Sequence, residues 1–217
     1  MTTTAVNVVA MSGSKPRRSK RADQRHTMTH LTPDEILSVL KLAREHSNRD
    51  WAMVLMSYRH GLRASEVCGL SMDDLDVKNR SVTLRRLKGS MRTVQPLYEH
   101  RGQPLLDEVI ALRAWTKQRP DDGSRYVFTS QKGGRLDRSQ FFRLFQGYAE
   151  AAGLPAEKRH PHCLKHTLAN HLIMGNTNLA LVRQALGHRS INSTMKYVGT
   201  TDGQAATAVK AAMADLF

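Results

Sequence analysis

Six polar residues, spread along the chain, have side chains that could act together on a phosphate group. They are three cations, two histidines and one tyrosine: Arg63, Lys88, His162, Lys165, His188 and Tyr197. A tyrosine hydroxyl can attack phosphorus and form a covalent phosphotyrosine, which keeps the bond energy needed to rejoin a strand. Cations neutralise the charge that builds on the phosphate oxygens, and an acid must protonate the departing oxygen. The set therefore suits chemistry on a DNA phosphate.

The first of these cations, Arg63, lies in the run His-Gly-Leu-Arg-Ala-Ser-Glu, just past the end of a predicted helix. Its guanidinium can bind two phosphate oxygens at once. Glu66 lies three residues further on, on the same helical face, and could orient that guanidinium. The alternative is an ordinary surface Arg–Glu pair on a helix, which has the same spacing.

The run His-Cys-Leu-Lys-His over residues 162–166 contains the next two candidates. His162 and Lys165 share one face of a predicted helix, and the N-terminus of that helix favours an anion. His162 and His166 are four residues apart and could also share a zinc ion. The chain has no His-Glu-x-x-His and no Cys-x-x-Cys motif, so we expect neither a metal nor another cofactor.

The segment that leads to Tyr197 has two interpretations. Leu-Gly-His at 186–188 ends one predicted helix, and Tyr197 closes the next. A helix end followed by a polar helix is also typical of a helix-turn-helix, in which Ser193, Thr194 and Lys196 would contact bases. That motif does not require the cations and histidines elsewhere in the chain, so the wider set favours phosphate chemistry.

The composition predicts a polyanionic partner. Lys and Arg total 33 against 19 acidic residues, which gives a net charge of +14 and a pI near 10.3. Double-stranded DNA fits best, and an anionic membrane surface comes second. No apolar run approaches the roughly 20 residues that span a bilayer, and the N-terminus is a poor secretion signal. Cys68 and Cys163 lie in apolar helical contexts and are expected to be reduced thiols, so we predict a cytoplasmic, nucleoid-associated protein without a membrane partner.

Residues 1–28 are predicted to be a flexible basic arm that precedes the folded part at 29–217. The arm has few apolar residues to pack, and its basic residues lie among Ser, Gly and Pro. One interpretation is a solvated tail, and the other is an arm that contacts DNA phosphates. The residues expected to make those contacts are Arg17, Arg18, Lys20 and Arg21.

The folded part is predicted to be mainly α-helical with a small antiparallel β-sheet, an α+β fold. A capping box at Thr32-Pro-Asp-Glu opens the first helix. The sheet is predicted from 75–77, 81–86 and 92–97, which places Lys88 at the tip of a hairpin. The other predicted helices cover 49–60, 65–70, 104–118, 137–151, 162–175, 177–186, 190–197 and about 203–216.

The spacing of the candidate residues resembles that of the tyrosine recombinases, also called the phage integrase family, over about 30–217. The family pattern His-x-Leu-Arg-His-Thr is matched at His162, Leu164, His166 and Thr167. Lys165 stands where the family has arginine, which keeps the charge and loses the bidentate fork. The resemblance implies the fold of the tyrosine recombinase catalytic domain. Most family members carry an extra helical domain, which an arm of 28 residues is too short to supply. This compact layout is similar to that of the fimbrial phase-switch recombinases.

The resemblance also implies a role for each candidate residue. Tyr197 would be the nucleophile, and Lys88 would be the general acid for the leaving oxygen. The remaining catalytic residues would stabilise the transition state: Arg63, His162, Lys165 and His188. Three further arginines are expected to contact DNA, and two of them, Arg159 and Arg183, could compensate for Lys165; the third is Arg86 in the run Arg-Leu-Lys-Gly.

The implied function is site-specific recombination through a 3′-phosphotyrosyl intermediate, in DNA inversion, integration–excision or resolution. The alternative is a DNA-binding regulator on the same fold, with cleavage weakened or lost because of Lys165. The resemblance implies a tetramer on two DNA sites, in which the helix at about 203–216 docks on a neighbouring protomer; the alternative is that this helix folds back on its own core. A host DNA-bending protein could assist assembly.

Overall fold

A computed structural model describes residues 29–86, 92–197, 209, 210 and 213. These residues form a mainly helical domain with one three-stranded antiparallel sheet, which confirms the predicted fold class. The basic arm at 1–28, Lys88 and most of the helix expected at 203–216 lie outside the described residues. The elements in chain order are α1 Pro33–His46, α2 Asn48–Arg59, α3 Ala64–Cys68, β1 Leu75–Asp76, β2 Ser81–Leu84, β3 Thr93–Pro96, α4 Glu108–Gln118, α5 Arg138–Ala151, α6 His162–Met174, α7 Leu179–Ala185 and α8 Asn192–Met195.

The first two helices form the centre of the core. The predicted capping box starts α1, because the Thr32 hydroxyl accepts from the Glu35 amide and the Glu35 carboxylate accepts from the Thr32 amide. Ser47 separates the helices and accepts from the Arg49 amide, which begins α2. Trp51 and most of the following residues of α2 are buried, since α1, α4 and α6 all pack against this helix. The position of α2 therefore fixes the turn at its C-terminal end.

The sheet has the order β1-β2-β3, with Val82 opposite Leu75 on one side and Gln95 on the other. Val82 and Leu84 point into the core, as alternation along a strand requires. The strand predicted over 81–86 ends at Leu84, but the same alternation continues to Arg86, whose side chain is also buried.

The helix predicted over 104–118 was wrong at its start. A 3-10 turn covers Pro104–Leu106, and α4 begins only after Asp107, whose carboxylate accepts from the Ile110 amide. This break brings Glu108 into the core, where its Oε1 lies 2.8 Å from Nε2 of the buried His60. The contact links the start of α4 to the end of α2.

Helix α6 is tied to the chain segment before α1. The Leu31 amide donates to the Thr167 hydroxyl at 2.8 Å, and Nε2 of His171 donates to the Leu31 carbonyl at 3.0 Å. Cys163 lies on the buried face of this helix, and both it and Cys68 are buried free thiols. Within the described ranges, none of the helices combines the length and apolar character that crossing a membrane requires.

Candidate active site

Arg63 is held at a sharp turn between α2 and α3. Gly61 has φ +57°, and a Cβ there would come within 2.9 Å of Leu186, so glycine suits the turn on both counts. Arg63 follows as the residue that precedes α3, and its Nη1 donates to Oε1 of Glu66 at 2.8 Å. The other oxygen of Glu66 accepts from the Arg63 amide at 2.9 Å. Because the Glu66 side chain is buried and about a third of the Arg63 side chain remains exposed, the carboxylate aims a guanidinium that solvent can still reach.

Arg86 was predicted to contact DNA, and the structure contradicts that prediction. Its side chain is 1% exposed. Its two terminal nitrogens donate to three backbone carbonyls, those of Gly61 at 3.1 Å, His60 at 2.8 Å and Ala185 at 2.9 Å. A Cβ on Gly187, which has φ +64°, would lie 2.5 Å from Nε of Arg86. The guanidinium therefore joins the Arg63 turn to the end of α7, and the alternation of β2 directs it inward.

Lys165 extends under the same turn. A Cβ on Gly61 would lie 3.6 Å from Cγ of Lys165, and the Lys165 Nζ donates to the Leu186 carbonyl at 3.0 Å. Only 2% of the residue is exposed. Burial, together with the positive charges of Arg86 and Arg63, lowers the pKa of Lys165 to about 7, and the carboxylate of Glu66 opposes that shift. The ammonium is therefore about half neutralised at neutral pH, which an arginine at this position would not be.

His188 and His162 differ in how firmly they are held. His188 is buried, and its Nδ1 lies 3.0 Å from the hydroxyl of the fully buried Thr194. Burial and the nearby cations, first among them Lys165, lower the pKa of His188 to about 4. His162 is more exposed at the N-terminus of α6, and burial again lowers its pKa. Because Thr194 is buried against His188, it is not free to contact bases, which contradicts the role that a helix-turn-helix would give Thr194.

Tyr197 follows α8 and contacts a histidine that was not predicted as a site residue. Its hydroxyl lies 2.7 Å from Nδ1 of His166, and the two ring centroids are 5.5 Å apart. Burial raises the pKa of Tyr197 to about 12, against the lowering effect of Arg63. Burial and the charges of His162, His160 and Lys165 lower the pKa of His166 to about 4. The spacing of four residues from His162 was a signal for this placement, because it puts both histidines on one face of α6.

The two arginines considered as substitutes for a second arginine are placed differently. Arg159 donates from Nε to the Leu154 carbonyl and from Nη1 to the Glu150 carboxylate, both at 2.7 Å. These bonds commit its guanidinium to the end of α5 and the turn that follows it. Arg183 is half-buried on α7, and its Nε has no hydrogen-bond partner among the described residues.

The described candidate residues converge on one site. Arg63 influences the pKa of Tyr197, His162 and His188, and Lys165 influences that of His162, His166 and His188. The site thus holds a phenol, an arginine, a lysine with a lowered pKa and three histidines that are neutral at physiological pH. In the part of the chain that the structure describes, no cluster of three or more His, Cys, Asp or Glu side chains could hold a metal ion. Such a set can bind a phosphate, stabilise added negative charge and present an oxygen nucleophile.

Comparisons with known proteins identify relatives of this chain. Residues 29–204 match the model of the phage integrase family. The chain is 36% identical over 179 residues to the type 1 fimbriae regulatory protein FimB of Escherichia coli K12, covering 80% of this chain and 86% of the relative. It is also 36% identical over 184 residues to the tyrosine recombinase XerD of Mycobacterium tuberculosis H37Rv, of which it spans 56%.

Solved structures show the same fold. The crystal structure of the XerA recombinase superposes with a TM-score of 0.70 at 24% identity, covering 85% of this chain and 65% of that one. The XerH site-specific recombinase, bound to its difH substrate before cleavage, also gives a TM-score of 0.70, at 23% identity, with 84% of this chain and 54% of that one covered. The chain therefore spans between half and two thirds of these longer proteins.

Proposed function

Since the chain belongs to the phage integrase family of site-specific tyrosine recombinases, whose members cut and rejoin DNA strands, we propose that Tyr197 is its nucleophile. The observation that carries this proposal is the convergence of the Tyr197 phenol with Arg63, Lys165 and three histidines in one site. These groups come from the α2–α3 turn, α6 and the segment around α8, so folding is needed to bring them together.

The reaction runs in two steps, and the Tyr197 phenol gives up its proton in the first and regains it in the second. The Tyr197 oxygen attacks phosphorus and forms a 3′-phosphotyrosyl bond, while the bond from phosphorus to the 5′ oxygen breaks and that oxygen takes up a proton. Lys88, as the general acid, supplies this proton. A 5′-hydroxyl then attacks the phosphotyrosine and releases Tyr197 when the strands are rejoined. The bond energy stays in the phosphotyrosine throughout, so no nucleotide is consumed.

The cations and His188 act on the phosphate oxygens. Arg63 is partly exposed and pre-oriented by Glu66, so it can donate two hydrogen bonds to a bound phosphate. Lys165 adds a single buried charge beneath it. His188 is fixed by Thr194 and can donate to a third oxygen, and His162 is positioned at the more exposed side of the same site. Preorganised donors of this kind stabilise the transition state because they need not reorient during the reaction.

The partner is double-stranded DNA, and the assembly we propose is a tetramer on two sites. The helix around 203–216 would dock on a neighbouring protomer, and a host DNA-bending protein could help to bring the sites together. Arg17, Arg18, Lys20 and Arg21 would add phosphate contacts from the arm. The reaction of this chain would be inversion, integration–excision or resolution, in the cytoplasm at the nucleoid.

A second candidate function rests on Lys165. Its ammonium is buried, donates to a backbone carbonyl and has a pKa near 7, so it is a weaker phosphate ligand than an arginine fork. The chain would then be a DNA-binding regulator on the recombinase fold, with slow or lost cleavage.

Covalent trapping on nicked DNA tests the proposed function. Wild type, Tyr197→Phe and Tyr58→Phe are incubated with nicked fragments of the DNA that flanks the gene, and denaturing gels are used to detect protein–DNA adducts. We expect adducts from wild type and Tyr58→Phe and none from Tyr197→Phe. Specific gel-shift binding by all three proteins without any adduct would support the regulator instead. An adduct from Tyr197→Phe would disprove the role of this tyrosine.

A further inference from the structure

The roles given to the six candidate catalytic residues do not include a base that accepts the Tyr197 proton. The hydrogen bond between Tyr197 and His166 identifies a candidate for it. The phenol that attacks phosphorus must lose its proton, and Nδ1 of His166 lies 2.7 Å from that phenol oxygen. The distance lies within the range for an O–H donor and an acceptor of this kind. Candidate bases are judged first by such reach and then by protonation state.

The other two histidines of the site are less well placed to take this proton. Nδ1 of His188 lies 3.0 Å from the Thr194 hydroxyl. His162 contacts the site through its ring, which lies edge-on to the His166 ring with 4.5 Å between centroids. Among the described residues, His166 is the hydrogen-bond partner of the Tyr197 hydroxyl.

The surroundings of His166 keep its ring neutral before DNA binds. His160 and His162 lie at the N-terminus of α6, Lys165 is its neighbour on the helix, and His30 approaches from the segment before α1. Burial, these neighbouring histidines and Lys165 all oppose protonation of His166, and no acidic residue contributes to its shift. A neutral ring with its proton on Nε2 presents a free lone pair at Nδ1, where the phenol can donate.

We propose that His166 is a catalytic residue of the strand-cleavage reaction, the base that accepts the Tyr197 proton. In this step the proton moves from the phenol oxygen to Nδ1 of His166 as that oxygen bonds to phosphorus. The bond from phosphorus to the 5′ oxygen breaks, and this oxygen is protonated separately by the general acid. On rejoining, His166 returns its proton to the Tyr197 oxygen as the phosphotyrosine is broken.

The timing of the transfer follows from the two proton affinities. The phenol holds its proton far more tightly than His166 does in the free protein, so the proton stays on Tyr197 until DNA is bound. A phosphate at Arg63 and Lys165 brings negative charge next to the imidazole, which favours the imidazolium. Proton transfer is thereby coupled to attack on the phosphate, and unproductive ionisation of the phenol is avoided.

This inference rests on the proposed function, and the chain provides a matched control for its test. His171, on the same helix, also places Nδ1 against a tyrosine hydroxyl, that of Tyr58 at 2.8 Å. His166→Asn and His171→Asn each keep a hydrogen-bonding group near the tyrosine and remove the basic nitrogen. Both variants are checked for folding by circular dichroism, and His166→Ala is measured in parallel so that one ill-folded variant does not decide the result.

The experiment measures single-turnover cleavage at saturating enzyme on two nicked substrates. One has the ordinary phosphodiester, and the other has sulfur in place of the bridging 5′ oxygen, which leaves without needing a proton. Lys88→Ala serves as the acid-side control and should regain its rate on the sulfur substrate. We expect His166→Asn and His166→Ala to be slowed about 100-fold or more on both substrates with unchanged DNA affinity, and His171→Asn to stay within about 3-fold of wild type.

Three outcomes decide the matter. A loss on both substrates that is confined to the His166 variants supports the base. Cleavage by the His166 variants at the wild-type rate, or their rescue by the sulfur substrate, would overturn it, because the defect would then be absent or would lie on the leaving-group side. Failure of the wild-type protein itself to form any adduct would refute the proposed function, which separates that failure from one specific to His166.

Discussion

Helix α6 contains two histidines, His166 and His171, that each contact a tyrosine from another part of the chain. The two histidine–tyrosine pairs are almost alike in geometry and differ in what surrounds them. His171 and Tyr58 have 2.8 Å between Nδ1 and the hydroxyl, and His166 and Tyr197 have 2.7 Å. The other nitrogen of His171 donates to the Leu31 carbonyl, so both sides of that ring are engaged in holding three segments together. Tyr58 of the first pair belongs to the buried core, and the second pair lies at the phosphate site.

The difference between the pairs shows that a hydrogen bond alone does not define a catalytic contact. Tyr58 lies on the largely buried α2, whereas Tyr197 follows the short α8. Arg63 influences the Tyr197 phenol and Lys165 influences His166, while the pKa of His171 is set by burial, the Leu31 carbonyl and His30. The nearby cations, which can hold a phosphate, are what make the second pair chemically useful.

The largest expected effect concerns the charge of Lys165, which acts on His166 and not on His171. Its pKa near 7 means that it is charged below neutral pH and loses its proton above it. The specific rate of cleavage at limiting DNA, kcat/KM, reports ionisations of the free protein. We expect the Lys165-dependent part of that rate to fall about 50-fold from pH 7 to pH 9, because the charged fraction falls by that factor.

Lys165→Arg is the matched variant for this prediction, since a guanidinium stays charged over the same range. The ratio of the variant rate to the wild-type rate should therefore rise with pH, and other ionisations cancel in it. The neighbours of Lys165, namely Arg63, Arg86 and Glu66, are the same in both proteins. A ratio that stays constant from pH 6 to pH 9 would show that the charge on Lys165 does not limit the reaction.

The second prediction concerns the free energy of unfolding, to which the His171–Tyr58 pair should contribute more than the His166–Tyr197 pair. His171→Ala leaves the Tyr58 hydroxyl and the Leu31 carbonyl without their partners, so we expect the free energy of unfolding to fall by about 2 kcal/mol. His166→Ala removes a ring whose one hydrogen bond among the described residues is to the Tyr197 hydroxyl, so it should cost less than about 1 kcal/mol. Urea denaturation of the two variants and wild type measures both values. Equal losses would mean that the two pairs hold the fold to the same extent.

The smallest expected effect is electrostatic. Lys165→Met removes the positive charge beside His166, so the pKa of His166 should rise from its value near 4. The pKa of His171 should not change, since Lys165 is not among the causes of its shift. Histidine ring signals followed by NMR between pH 3 and pH 8 give both values in one titration. An equal rise at both histidines would indicate a general structural change and would remove the electrostatic distinction between the pairs.

The sequence predicts much of this fold because its local signals are strong. The capping box at Thr32 and the alternation of β2 gave elements that the structure confirms within a few residues. The start of α4 was misplaced because the Asp107 cap was not recognised within an apolar, helix-like run. The family, predicted from the spacing of the six candidate residues, is confirmed by the match over 29–204.

The candidate site was less predictable, since contacts between distant segments decide it. Arg86 was assigned to the DNA surface by charge type, although its register with Val82 and Leu84 already directed it inward. His166 was noted as part of a motif and as a possible metal ligand, and its contact with Tyr197 depends on how α8 folds back on α6. The pKa of Lys165 follows from burial, which its position in the sequence does not reveal.

The three carbonyls bound by Arg86 also have a consequence for how the site opens. They belong to the end of α2, the turn before Arg63 and the end of α7, and Arg86 and Ala185 are 99 residues apart in the chain. None of these segments can separate from the others without exposing a buried guanidinium or leaving it unpaired. Local fluctuation at one of them is therefore suppressed, and the amide hydrogens of all three should exchange with solvent in a single cooperative opening. The Arg63 turn and the end of α7, which are distant in sequence, should therefore open and close together and not one at a time.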